Sequence, residues 1–414
     1  MYFYINLRHL RAFIVVAELG SVSKASEKLF TAQSAVTRSI HELELALGVQ
    51  LFERKANGML CTTFAHAVLF RARRAMQELA QGFDEIRNGS KRARNAQQSH
   101  IPLILYNNRR LDAFIKLADS GHMPTVAKAL GISQPAVSGS INDLESNLGL
   151  VLFRRTSKGM ITTEAGEMLA FRVKRALAEL RHVKTDLSAL LGTTEGRVVI
   201  GALPLGRTAI LPLAISEVLA QFPSLRFSTV EGAFDKLAAD LRSGDIDFIF
   251  GALRPADYAL DLTTEALLSD LMAVVVRTGH PLTQYVRITL EDLMGFQWVL
   301  SRPGTPSRTL FDLSFTSQNL QPPSECVETS DLAILRGLLL NTDIVTAISA
   351  GQLQYEIAAG VLKVLDIALP NTCRAIGITM RAESHPSPGA TVLMEAIRRV
   401  AADVTHVNSA EQWS

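Results

Sequence analysis

Two stretches of the chain carry side chains suited to reading a nucleic acid. In "AQSAVTRSIHELELALGVQLFER", residues 32–54, Ser34, Thr37, Arg38 and His41 share one helical face, and in "SQPAVSGSINDLESNLGLVLFRR", residues 133–155, Gln134, Pro135, Ser138 and Asn142 do the same. Short polar side chains let a helix sit close to base edges and exchange hydrogen bonds with them. Arg54 and Lys55 beyond the first helix, and Arg154, Arg155 and Lys158 beyond the second, are suited to holding phosphates. A small helical bundle making protein contacts would show the same periodicity. Both readings stay open at this point.

The elements that must position these residues occur twice. Shifted by 101 positions, the chain matches itself without gaps from Asn6 to about Leu79, with about 29 identities over about 75 positions, which marks a duplicated domain. In the first copy Leu7, Leu10, Phe13, Ile14 and Ala17 predict a helix ending at Gly20. Ser21 can cap a short second helix, and Thr31 a third that buries Val36, Ile40, Leu43 and Leu47 and stops at Gly48. In the second copy Gly121, Gly131, Ser133 as cap, Pro135, Val137, Ile141, Leu144, Leu148 and Gly149 take the same parts. Each copy closes with a hairpin, or wing, hinged at Gly58 or Gly159. Two short helices and a tight turn, the second helix amphipathic, make a helix-turn-helix. Between the copies, "RNGSKRARNAQQSH" reads as a solvated linker.

Charge supports a divided molecule. Residues 1–192 hold 26 Lys and Arg against 16 Asp and Glu, and the remainder holds 16 against 24. A basic front suits a polyanion, whereas the acidic back must do something else. The three cysteines, Cys61, Cys326 and Cys373, are too few and too scattered for a disulfide framework or a metal knuckle, so no metal or other cofactor is expected. Neither an export signal nor a membrane span is read in the chain, and a cytoplasmic location is expected.

The residues carry a resemblance. "SQPAVSGSINDLESNLGLVLFRRTSKGMITTEAG" is similar to the winged helix-turn-helix of LysR-type transcriptional regulators, and the first copy resembles it more loosely. Departures are specific: Ser34 stands where the pattern has Pro, and "CTTFAHA" replaces its "TxAG". The second copy has His122 for Ser, Gly139 within its reading helix, and no Lys or Arg from Gln134 to Leu148. A reading helix without cations adds little to phosphate attraction. The resemblance implies that the helix after the second wing, with its seam of Leu169, Val173, Ala176, Leu180, Val183, Leu187 and Leu190, pairs two subunits.

From Gly196 short apolar runs alternate with amphipathic stretches, which predicts an α/β fold with parallel sheets. Such sheets bind ligands at the carboxyl ends of their strands. "GRVVIGALPLGRTAILP" and "LRSGDIDFIFGAL" resemble the two-lobed, periplasmic-binding-protein-like effector domain of the same family. That resemblance implies an effector touching Leu205, Gly206, Arg207 and Thr208 from one lobe, with Ala252, Ser301, Arg302, Thr305, Ser330 and Ile348 opposite. Arg207 or Arg302 could pair a carboxylate, or could simply be surface ion partners.

The expected order is a first winged helix-turn-helix at 5–64, helix and linker at 65–105, a second at 106–165 and a linker helix at 166–192. An effector domain follows at 193–404, lobe one being 195–270 and 371–402 and lobe two 271–370, and then a tail at 405–414. Catalysis finds no nucleophile elbow, P-loop or zinc-binding helix to support it. Solute capture for transport is opposed by the basic front, and a peroxide sensor would need Cys326 and Cys373 to meet. The expected function is regulation of transcription through double-stranded DNA, controlled by a small, anionic effector. Homodimers or homotetramers and RNA polymerase are the expected protein partners.

Overall fold

The computed structural model describes residues 5–55, 58–89, 101–255 and 258–411. The chain divides into two compact units, one built from residues up to Gly196 and the other mainly from those beyond it.

In the first unit, copy one comprises α1 (Leu7–Leu19), α2 (Val22–Leu29), α3 (Gln33–Leu47), β1 (Phe52–Lys55), β2 (Gly58–Cys61) and the long α4 (Thr63–Gly89). Copy two repeats the order with α5 (Asn108–Ser120), α6 (Met123–Leu130), α7 (Gln134–Leu148), β3 (Phe153–Thr156), β4 (Gly159–Thr162) and α8 (Glu164–Leu190). Local chemistry sets most boundaries. Asn6, Ser21, Asn107 and Ser133 accept hydrogen bonds from the first-turn amides of α1, α2, α5 and α7. Gly20, Gly48, Gly121, Gly131 and Gly149 end helices in the left-handed conformation. Helix α3 departs from expectation: Ala32, not Thr31, sits at its N-cap, and no side chain caps it. The polar linker lies, over residues 90–100, outside the described residues. The residues that follow it belong to the core, with Ile101, Leu105 and Tyr106 buried.

One continuous hydrophobic cluster runs through both copies and both long helices. Helices α4 and α8 lie antiparallel, and Val68, Ala72, Ala75, Leu79 and Ile86 meet Leu169, Val173, Ala176, Leu180, Val183 and Leu187, all almost fully buried. This corrects the expected subunit seam. Its apolar face is already covered by α4 of the same chain, and only Leu190, 47% exposed, lies outside the contact.

The second unit holds two five-stranded sheets. Lobe one contains β5 (Gly196–Ala202), α9 (Ile210–Gln221), β6 (Leu225–Val230), α10 (Phe234–Ser243), β7 (Phe248–Ala252) and β8 (Leu262–Asp270). Lobe two follows with β9 (Met272–Arg277), α11 (Leu290–Leu293), β10 (Trp298–Leu300), α12 (Pro306–Thr316), β11 (Glu325–Glu328), α13 (Leu332–Asn341), β12 (Val345–Ser349), α14 (Gln354–Ala358) and β13 (Leu362–Val364). The chain then returns through β14 (Arg374–Arg381) and α15 (Pro388–Glu411), a helix that runs on into the stretch read as a tail. The sheets are mixed, not purely parallel. Strands β7 and β8 run antiparallel to β14, and β12 and β13 antiparallel to β9, as a chain that crosses between lobes and comes back requires. Trp298, stacked near Phe311 and Phe315, anchors the core of lobe two and donates its indole N–H to the Leu293 carbonyl at 3.0 Å.

Candidate nucleic-acid interface and effector crevice

Each reading helix is held on its buried side and free on the other. Val36, Ile40 and Leu43 anchor α3, and Val137, Ile141 and Leu144 anchor α7. Ser34, Thr37, Arg38, His41, Gln134, Pro135 and Asn142 are exposed, and Ser138 is half-buried. Arg38 is 81% exposed, its guanidinium 3.7 Å from Glu42. A residue for which sequence reasoning had assigned no task positions each wing. Glu44 accepts the amides of Leu51 and Phe52 at 2.8 and 3.3 Å, and Glu145 those of Leu152 and Phe153 at 2.7 and 3.1 Å. Gly58 and Gly159 are required by a close approach: a Cβ would stand 2.5 and 2.6 Å from the carbonyl oxygens of Gly20 and Gly121. On the wings Lys55, Arg154, Arg155 and Lys158 are exposed, while the side chain of Arg54 lies outside the described residues.

The second copy brings its cations from elsewhere. Gly139 leaves open space at the place Arg38 occupies in the first copy. Beside it lies a groove of about 370 Å³ lined by Asn107, Arg109, Arg110, Ala136, Ser140 and Asp143. Arg110 reaches from α5 to Asp143 at 2.6 Å, and Arg109 is exposed. Sequence reasoning missed both, although "NNRR" at the start of α5 was a visible signal. At the place in copy one that corresponds to Arg110 stands His9, whose pKa is lowered chiefly by burial, with Glu42 opposing and Arg38 reinforcing. Its imidazole therefore leans toward neutral, and the exposed cation there is Arg38.

In the second unit the carboxyl ends of β5 and β7, which run parallel, bring Leu205–Thr208 beside Ala252. In lobe two β10 runs parallel to β11 and β12, so Ser301, Ser330 and Ile348 come together after or near their ends. The 3₁₀ turn at Pro204–Arg207 meets the one at Ala350–Leu353 across the lobes. Gly206 has no room for a side chain, since a Cβ would lie 2.6 Å from the Phe250 ring. Thr208 donates its hydroxyl to the Leu205 carbonyl at 3.0 Å, and Thr305 caps α12 while donating to the Arg302 carbonyl at 2.7 Å.

The two arginines expected to pair a carboxylate are engaged by the protein's own acids. Arg207 lies 2.6 Å from Glu231, and Arg302, 74% exposed, lies 3.5 Å from Glu328. The structure thus favours the surface-ion-pair reading for both. A different cation occupies the junction of the lobes. Arg374 donates to Asp270 at 2.9 Å and to Ser307 at 2.6 Å, and Ser349 donates to Asp270 at 2.6 Å. These four residues are far apart in sequence and form no motif, which is why they were missed.

Comparison with known proteins agrees with this geometry. The family model described as the bacterial regulatory helix-turn-helix protein, lysR family, matches residues 7–66 and again 108–167, and that of the LysR substrate binding domain matches 191–402. The HTH-type transcriptional regulator GalR of Pseudomonas putida is 49% identical over 395 residues, 95% of this chain and 97% of that protein. The chain belongs to the LysR family of transcriptional regulators. It is a DNA-binding regulator with a substrate-binding domain for a small-molecule effector. PcaQ of Agrobacterium fabrum is 28% identical over 296 residues, covering 72% of this chain and 95% of that protein. Among solved structures, a full-length OxyR variant from Pseudomonas aeruginosa superposes with a TM-score of 0.53 at 24% identity, over 73% of this chain and 96% of that one. Full-length CbnR complexed with its target DNA gives 0.51 at 21%, over 70% and 99%. These two share the fold. Nearly all of each is matched by under three quarters of this chain, whereas the alignment with GalR is long enough to include both helix-turn-helix copies.

Because the relatives are transcription regulators, the family argues against an enzyme. Among the described residues no helix is long and apolar enough to cross a membrane.

Proposed function

We propose that both helix-turn-helix copies of this LysR-family regulator contact DNA, and that a small anionic metabolite between the lobes changes how the DNA is held. One observation carries the first part: a single core fixes two reading helices that are both exposed on their polar faces. Ser34, Thr37, Arg38 and His41 serve one side, and Gln134, Pro135, Ser138 and Asn142 the other, with the wing cations and Arg109 and Arg110 on phosphates. The anionic effector is supported by α9, whose first-turn amides have no side-chain cap beside Thr208. Leu205, Gly206, Ala252, Ser301, Thr305, Ser330 and Ile348 then shape the crevice. The regulator acts in the cytoplasm, assembles as a dimer or tetramer through surfaces other than the α8 seam, and addresses RNA polymerase.

Deleting residues 1–100 would strip α4 from α8 and expose the seam, so point variants are the better test. Arg38→Ala and Arg110→Ala should each weaken binding to a duplex selected from a random pool. If only one does, the other copy serves protein contact, a reading favoured for copy one by Phe30, which is 95% exposed at its helix-helix turn. For the effector, calorimetry would compare small carboxylates with their amide analogues. Equal affinity would end the anionic assignment.

A further inference from the structure

The two copies are related by more than sequence. Arg71 bonds Glu179 at 2.9 Å and Asp186 at 2.7 Å, and Arg74 bonds Glu179 at 2.9 Å. Adding 101 to each α4 residue and subtracting it from each α8 residue yields Arg172 with Glu78 and Glu85, and Arg175 with Glu78. Those pairs are present too: Arg172 to Glu78 is 2.9 Å, Arg175 to Glu78 is 2.6 Å, and Arg172 also bonds Glu85. Each of these ion pairs between the helices has its image under exchange of the copies. The first unit therefore has an internal two-fold relation, of the kind that ordinarily links two identical subunits in an isologous interface.

That relation is filled by unlike halves. Asn108 accepts the Leu7 amide at 3.0 Å and donates to the Ile5 carbonyl at 2.7 Å, and Arg11 stacks 5.2 Å from the Tyr106 ring. The first contact has no image, because the residue equivalent to Asn108 is Leu7. Gly82 of α4 lies so close to Arg172 that a Cβ would stand 2.8 Å from that side chain's Cβ, and its equivalent in α8 is Val183. Two copies of α8 would bring a valine to that place. These contacts favour pairing one copy with the other over pairing like with like.

We infer that one chain is a complete but asymmetric DNA-reading unit: its two unlike reading helices lie in fixed order on a single non-palindromic site. The inference rests on the proposed DNA contact by both copies and adds stoichiometry and polarity. Paired identical reading helices would demand two-fold symmetric half-sites. Here α3 offers Ser34, Thr37, Arg38 and His41, while α7 offers Gln134, Pro135, Ser138 and Asn142. The halves of the site must differ accordingly. Because both copies belong to one chain, their pairing does not depend on protein concentration.

The test uses the full chain with its native thiols removed by Cys61→Thr, Cys326→Ser and Cys373→Ser, and a DNA-cleaving reagent tethered at Leu60→Cys or Ile161→Cys, equivalent and exposed wing positions that hold none of the proposed phosphate contacts. The target is the shortest duplex, selected from a random pool, that retains full affinity. Cutting at one end from position 60 and at the other end from position 161 is expected. Inverted repeats built from either half alone should bind about tenfold or more weakly than the selected site. Cutting at both ends by each tether would overturn the inference, as would a tether that cuts nowhere within a protected duplex. Loss of all protection would instead remove the DNA reading on which it rests.

Discussion

The first helix-turn-helix and the second have the same elements but place charge and backbone freedom differently. Copy one carries Arg38 on its reading helix but ends α2 at Phe30, a bulky residue with φ of 54°. Copy two ends the equivalent helix at Gly131, φ 66°, without strain, and has Gly139 where the arginine would be. It draws Arg110 from the domain's first helix instead. Gly166, where a Cβ would collide with the Leu152 carbonyl at 2.2 Å, keeps copy two's wing against the start of α8, while copy one has Ala65 at that place. A duplicated domain can thus hold its frame through Glu44 and Glu145 and the shared core while its recognition surface diverges. Core packing constrains both copies alike, whereas an exposed face answers only to what it binds.

The sharpest way to break the comparison is at the helices that join the copies. Arg71 is 4% exposed and bonded to Glu179 and Asp186, so Arg71→Met takes away two ion pairs, leaving Glu179 with Arg74 alone, and should cost about 3 kcal/mol in urea unfolding. Its image Arg172→Met, at a more accessible site, should cost less; equal costs would mean that the two ends of the helix pair are equivalent. Acid should reach the same place. Burial pushes the Glu179 pKa up, but the hydrogen bonds from Arg71 and Arg74 outweigh it and hold the carboxyl below its ordinary 4.5. A depressed folded-state pKa gives stability that is present above the unfolded value and lost as pH falls through the folded one. Glu179→Gln should flatten that acid-side loss in pH-dependent unfolding, and an unchanged profile would discard the account.

Smaller effects separate the copies themselves. Phe30→Gly relieves a left-handed residue and should stabilise the protein by about 1 kcal/mol, while Gly131→Phe should destabilise it by a similar amount. Smallest in energy is the salt response. Arg38→Ala should lower the slope of log affinity against log salt by about 1, as the loss of one phosphate contact requires. Ser138→Arg should raise it by a comparable step. If the Arg38→Ala slope is unchanged, Arg38 does not touch phosphate.

Much of this molecule was written locally. The 101-residue repeat, helix ends at Gly20 and Gly149, caps at Ser21 and Ser133, wing turns at Gly58 and Gly159 and the a/d spacing of α8 are all legible in the chain itself. Capping and periodicity act between neighbours a few residues apart, so the sequence by itself determined the two domains, their exposed reading faces and the strand-helix alternation of the second unit. What covers the α8 seam is a different kind of question. An apolar stripe specifies that it must be buried and not by which chain, and only the tertiary structure decided for α4, through ion pairs between residues about a hundred positions apart. The same limit hid Arg374, Asp270, Ser307 and Ser349, which meet because strands crossing between lobes bring them together, and it left Arg207 and Arg302 open until Glu231 and Glu328 were seen beside them. Charge pairing depends on distance in space, which spacing along a chain does not encode.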